Sequence, residues 1–169
     1  MIALQKNLNA LIVLTISGIL LGAFGVQFLK HEQPCPLCLL QRLMMIGVAA
    51  SALLNIHFGI RPSHYGLGLL CSLAGGTVAL RQIALHVCPG FPAFGLPVLG
   101  LSLYTWSFII FACCVLAIAF LLFMYNPYEE DRKQNATGLG QLASLCILFI
   151  TIANILTTFL QCGLSACAE

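Results

Sequence analysis

Residues 35–48 read Cys35-Pro36-Leu37-Cys38-Leu39-Leu40-Gln41-Arg42-Leu43-Met44-Met45-Ile46-Gly47-Val48. A Cys-x-x-Cys pair stands at the mouth of an apolar run that continues to residue 57. Pro34 and Pro36 bracket the first cysteine. Proline suits the first turn of a helix and breaks its interior, so the helix begins at the thiols. A membrane-crossing helix needs roughly 20 mostly apolar residues. The run 37–57 qualifies, and so do 8–29, 63–85, 104–125 and 138–160. Composition agrees: the 169 residues are 60% hydrophobic and 7% charged, with a mean hydropathy of +1.02. A soluble domain carries roughly 25% charged residues. The expected fold is all-α, a polytopic membrane helical bundle of four core helices plus a fifth. No soluble domain fits between the spans, so 1–169 reads as a single integral membrane domain.

The connections are short. Only 126–137, with Glu129, Glu130, Asp131, Arg132 and Lys133, is strongly hydrophilic. The stretch 86–103 is rich in Pro, Gly and Phe and carries no Asp, Glu, Lys or Arg. It is expected in the membrane interface or folded back on the bundle. The first apolar run exceeds the apolar core of a signal peptide and lacks a small-x-small cleavage site, so it reads as a retained helix. The net charge of +2 comes without a basic cluster, which argues for no nucleic-acid partner. Lys6, Arg61, Arg132 and Lys133 fall on one side of a five-span chain, and Lys30, Arg42 and Arg81 on the other. Arg42 and Arg81 lie within spans, so the loop charges place the N-terminus in the cytoplasm. The Cys35/Cys38 mouth and the tail 161–169 then share the outer face.

Nine cysteines sort into two groups. Cys71, Cys113, Cys114 and Cys146 lie inside spans, where free cysteine behaves as a small hydrophobe. Cys35, Cys38, Cys88, Cys162 and Cys167 gather at the outer ends, where disulfides are permitted. The tail Gln161-Cys162-Gly163-Leu164-Ser165-Ala166-Cys167 allows a short, exposed second disulfide, redox-active or a structural staple; two free thiols remain the other reading. For Cys35 and Cys38, haem attachment would require His where Leu39 stands. A metal site would require further ligands, and His31 is the one histidine close in sequence. Redox exchange is the better reading, because a helix N-terminus favours a thiolate and a dithiol cycles with a disulfide.

Arg42 follows Cys38 by four residues and so lies on the same helical face. It either snorkels to lipid phosphates or stabilises a thiolate and a quinone oxygen. Reduction puts negative charge on quinone oxygens, and a fixed cation lowers that barrier. Gln41 lies at the same depth. Arg81, Gln82 and His86 reach it too if spans two and three pack, with the His86 imidazole a candidate proton relay. Gly18-x-x-x-Gly22 is expected to mark close helix packing.

Cys35-Pro36-Leu37-Cys38-Leu39-Leu40-Gln41-Arg42 resembles the motif of the disulfide bond formation protein B (DsbB) family, as do Arg81-Gln82 and Leu103-Tyr104-Thr105-Trp106. The resemblance implies a helical bundle of the bacterial cell inner membrane. Such a protein reoxidises a periplasmic thioredoxin-fold dithiol oxidase (DsbA-like) and passes electrons to ubiquinone or menaquinone. It implies that Cys35 and Cys38 are the quinone-coupled catalytic pair, with Cys38 engaging the quinone, and that Arg42 and Gln82 bind it. The second catalytic pair departs from the family pattern. The stretch between spans three and four holds only Cys88, and Cys162 and Cys167 follow the fifth span instead. Rival readings are a vitamin K epoxide reductase-like quinone reductase, a non-enzymatic metal-handling membrane protein using Cys35 and Cys38, and an assembly subunit with stapled loops.

Overall fold

A computed structural model describes residues 2–30, 35–87, 98, 100–127 and 138–162. These form five α-helices: α1 (Ile2–Lys30), α2 (Pro36–Phe58), α3 (Pro62–Val87), α4 (Leu103–Phe123) and α5 (Gly138–Cys162). An isolated bridge between Val98 and Leu101 is the one extended pairing among the described residues. All five helices are long and apolar enough to cross a membrane, and the chain is a multi-pass membrane protein. Large side chains such as Leu116, Phe123, Leu145 and Phe149 are exposed around the bundle, as hydrocarbon contact requires.

Side-chain hydrogen bonds fix the helix directions. At one end Asn9 of α1 donates through Nδ2 to the Tyr65 hydroxyl of α3, 2.9 Å. Asn55 of α2 donates to Asn9 Oδ1 (3.5 Å), while its own Oδ1 accepts from the Arg61 backbone N–H, 3.1 Å. Gln5 Nε2 donates to the Leu121 carbonyl near the end of α4, 3.4 Å. His57 Nε2 pairs with Ser144 Oγ of α5, 2.7 Å. The starts of α1, α3 and α5 therefore meet the ends of α2 and α4. Cys35 lies at the opposite end, the thiol end.

This polar network also explains the one large boundary difference. Helix α1 begins at Ile2, six residues before the apolar run expected from the sequence. Gln5 and Lys6 look like flanking polar residues, yet both are buried in the bundle, as is Asn9 just inside the expected run. In a low-dielectric bundle such groups persist because they are hydrogen-bonded.

The packing of α2, α3 and α4 rests on glycines that the sequence reading passed over. A methyl group on Gly47 would run into Cys71, one on Gly68 into Ser51 and Ile118, and one on Gly75 into the ring of Phe111. Gly18 and Gly22 behave differently: added methyl groups there would meet nothing within 4 Å. The expected close packing at Gly18-x-x-x-Gly22 is thus absent among the described residues, and a shared spacing does not make a shared role. Gly75→Ala is accordingly expected to destabilise the bundle by about 1–3 kcal/mol through overpacking. Gly18→Ala should leave stability unchanged or raise it slightly. Thermal unfolding in detergent checks both; equal melting temperatures for the two variants would refute the contrast.

Candidate active site

Cys35 is the N-cap of α2, with extended backbone angles (φ −68°, ψ 158°) and Pro36 at the first helical position. Its carbonyl accepts from the N–H groups of Cys38 (2.9 Å) and Leu39 (3.1 Å). Its sulfur accepts from the Cys38 N–H, 3.2 Å, taking the place an Asp or Ser oxygen fills in an ordinary cap. The motif thus builds its own thiolate site. The Cys38 thiol leads in holding the Cys35 sulfur well below the ordinary thiol range, at about 6, against the opposing effect of burial. The backbone N–H groups of Cys38 and Leu37 and the Gln82 amide add to it. Cys35 is therefore the sulfur of the pair that ionises first, and it takes up its proton as pH falls through that lowered range. Both cysteines are free thiols here.

Helix α3 brings Gln82 onto the pair. Its Nε2 lies 3.4 Å from Cys35 Sγ and 3.5 Å from Cys38 Sγ. Its Oε1 accepts from Gln41 Nε2, 2.7 Å. Both amides are buried. Arg42 is 8% exposed, which excludes a side chain snorkelled to the membrane surface. Nη1 donates to Gln27 Oε1 of α1 (2.7 Å), Nη2 to the Ala23 carbonyl (3.3 Å), and the guanidinium sits 4.9 Å from the centroid of the Phe24 ring. These bonds use two of five N–H donors. None of the described residues is Asp or Glu. Among them the charge is met by amide, carbonyl and ring electrons, with no carboxylate to neutralise it.

A cavity of about 390 Å³ opens beside Arg42. Cys38, Gln41, Arg42, Gln82 and Gln27 supply its polar end, and Ile19, Leu20, Met45, Leu103 and Ile110 its apolar walls. Cys35 is not among its lining residues. The two sulfurs therefore face different surroundings: Cys38 the cavity, Cys35 the helix mouth. Trp106 Nε1 donates to the Val98 carbonyl, 2.9 Å, drawing the end of the α3–α4 connection against the cavity wall. Gly100, at φ 80°, supplies the positive angle that the turn back to Leu101 requires. Of the two placements expected for 86–103, membrane interface or folded back on the bundle, the described residues 98 and 100–103 lie against the start of α4, and 88–97 fall outside the described residues.

The four residues expected at a quinone site, Cys35, Cys38, Arg42 and Gln82, are brought together. His86 stands behind them, with Nδ1 2.8 Å from the Gln82 carbonyl and its ring stacked on Tyr104 at 4.9 Å. Arg81 is exposed. Gln27 was missed, although a polar residue near the end of an otherwise apolar span is itself a signal. The expected second pair falls outside what the structure describes: Cys162 ends α5 with its side chain outside the described residues, and Cys88 and Cys167 lie outside them entirely. None of the cavity's lining residues belongs to α5.

A dithiol set between a helix mouth and an apolar cavity beside a buried cation suits electron exchange between a thiol and an apolar acceptor. The comparisons agree with the thiol half. The family model for disulfide bond formation protein DsbB matches residues 5–94, which include every polar group at the cavity's polar end. The chain is 34% identical, over 140 residues, to disulfide bond formation protein B of Cupriavidus necator, covering 63% of this chain and 87% of that one. It is 28% identical over 149 residues to the Burkholderia thailandensis protein of the same name, covering 68% and 88%. With that of Cupriavidus pinatubonensis the identity is 39% over 90 residues, covering 51% of this chain and 56% of that one. No solved structure matches. By the matched stretch and the site it carries, this chain belongs to the disulfide bond formation protein B family.

Proposed function

We propose that this protein is a quinone-linked thiol–disulfide oxidoreductase of the bacterial inner membrane. Its N-terminus is cytoplasmic and its thiol end periplasmic. It reoxidises a periplasmic thioredoxin-fold dithiol oxidase. The observation that carries the reading is the buried Arg42 guanidinium beside Cys38, at the polar end of an otherwise apolar cavity.

The partner's dithiol gives up two electrons and two protons to the Cys162–Cys167 disulfide through a mixed disulfide. Cys162 and Cys167 then reduce Cys35–Cys38 by the same exchange, attack falling on the Cys35 sulfur at the helix mouth and releasing Cys38. A bound ubiquinone or menaquinone supplies an acceptor for two electrons and two protons. The cavity fits such a group in size, since small-molecule sites run from about 300 to 1,000 Å³, and in chemistry, since carbonyl oxygens need donors and a ring needs apolar walls. The unused N–H groups of Arg42 would hold a ligand oxygen and the negative charge that gathers there. Gln82 stabilises the leaving thiolate, and the apolar walls keep water from the exchange.

The test is quinone reduction by the purified protein in detergent, with a reduced thioredoxin-fold dithiol as donor. Wild type is expected to turn over and the Cys162→Ser/Cys167→Ser double variant to lose donor-driven turnover. Full activity in the double variant would remove the tail as the entry point and turn attention to Cys88. No turnover by folded wild type would refute the quinone reading.

A further inference from the structure

Two buried amides face each other beside the thiols, and only one of them touches sulfur. Gln82 presents Nε2 to both sulfurs, at 3.4 and 3.5 Å. A carboxamide turned end for end would instead present Oε1, whose partial negative charge repels a thiolate. The fold therefore needs something to choose between the two orientations. Gln41 couples to that choice: its Nε2 donates to Gln82 Oε1 at 2.7 Å, so a Gln82 amide reversed on its own would set N–H against N–H. Gln82 is 1% and Gln41 4% exposed, so bulk water competes little for either amide. Gln41 does not itself bond to either sulfur.

We propose that Gln41 is a positioning residue that locks the Gln82 amide with its nitrogen on Cys35 and Cys38, and thereby raises the reduction potential of the pair. Hydrogen bonds to sulfur favour the thiolate and hence the reduced form. A pair held this way draws electrons more strongly from the disulfide that precedes it. The other ionisable groups near the pair are Arg42 on α2, His86 behind Gln82 on α3, and Tyr104 on α4; α1 contributes the neutral Gln27. None of these orients the Gln82 side chain, although His86 bonds to its backbone carbonyl.

The inference rests on the reading of Cys35–Cys38 as a redox couple, so the experiment is done on quinone-free, full-length protein. The protein in detergent is equilibrated with glutathione buffers, and the pH midpoint of Cys35 alkylation is measured alongside. Wild type should alkylate with a midpoint near 6. Gln41→Met keeps the volume and removes the donor. It is expected to shift the equilibrium about tenfold toward disulfide, about 30 mV, and to raise the alkylation midpoint by about one pH unit. Gln82→Met should shift both at least as far, and the double variant should match Gln82→Met alone. If Gln41→Met fails to accumulate, Gln41→Asn, whose amide is too short to reach Gln82, is expected to show the same shifts. Unchanged values in the Gln41 variant, or effects that add in full to those of Gln82→Met, would overturn the proposal. A wild type with no dithiol–disulfide equilibrium would instead sink the redox reading itself, and the two failures are told apart by that control.

Discussion

Serine in place of Cys38 is expected to end quinone reduction altogether, and serine in place of Cys35 to do the same, but the remaining thiols should behave differently. Each substitution leaves a sulfur with no partner to form the disulfide, so turnover falls to background. The geometry separates what is left. Cys38 lines the cavity and Cys35 does not. In the Cys35→Ser variant, added quinone should protect Cys38 from alkylation by an apolar maleimide. In the Cys38→Ser variant, the same quinone should leave the labelling of Cys35 unchanged. In a Cys38→Ala variant the Cys35 thiol would also lose its side-chain partner at position 38, the leading cause of its low titration range. Its labelling should therefore need a higher pH than in reduced wild type. Equal protection of both sulfurs would show that the cavity does not distinguish them and would remove the division of labour between mouth and cavity.

The chemistry of the helix mouth was legible because it is local. Cys35, Pro36 and Cys38 fall in one turn, and the capping that makes Cys35 a thiolate site follows from spacing alone. Arg42 was legible for the same reason, one turn further along the same helix. Gln82 was legible through resemblance, but its contact with sulfur depends on the packing of α2 against α3. Gln27 shows the limit more sharply. It lies 15 residues from Arg42 in sequence, and nothing in either segment says that α1 presents it to the guanidinium. The glycines teach the converse. Gly18 and Gly22 carry the familiar spacing and pack against nothing within reach, whereas Gly75 sits under Phe111 without any motif to announce it. Spacing records which residues share a face; only the fold decides what that face meets. The start of α1 differed for a related reason, since Gln5 and Lys6 are polar in sequence and buried in the bundle.

Replacing Arg42 with Met is expected to lower quinone reduction about 10²–10³-fold, the usual loss when a donor to a developing oxyanion is removed. Exchange of Cys35 with glutathione should survive, because the site that activates it is built from the Cys38 thiol, the α2 backbone and Gln82. Arg42→Lys discriminates the two roles open to the side chain. A lipid-phosphate anchor needs only charge, and lysine would restore it in full. A residue that holds Gln27 and the Ala23 carbonyl while offering further donors to a ligand needs the planar fork, which lysine lacks. The lysine variant is therefore expected to recover only part of the rate, with a raised KM for quinone. Gln27→Leu, which removes the acceptor that aims Nη1, should weaken quinone binding in the same direction while leaving the charge in place. Wild-type kinetics from Arg42→Lys would return the residue to an anchoring role. Retention of activity within a few-fold in Arg42→Met would remove the cation from the reaction, because the described residues offer no other charged side chain lining the cavity.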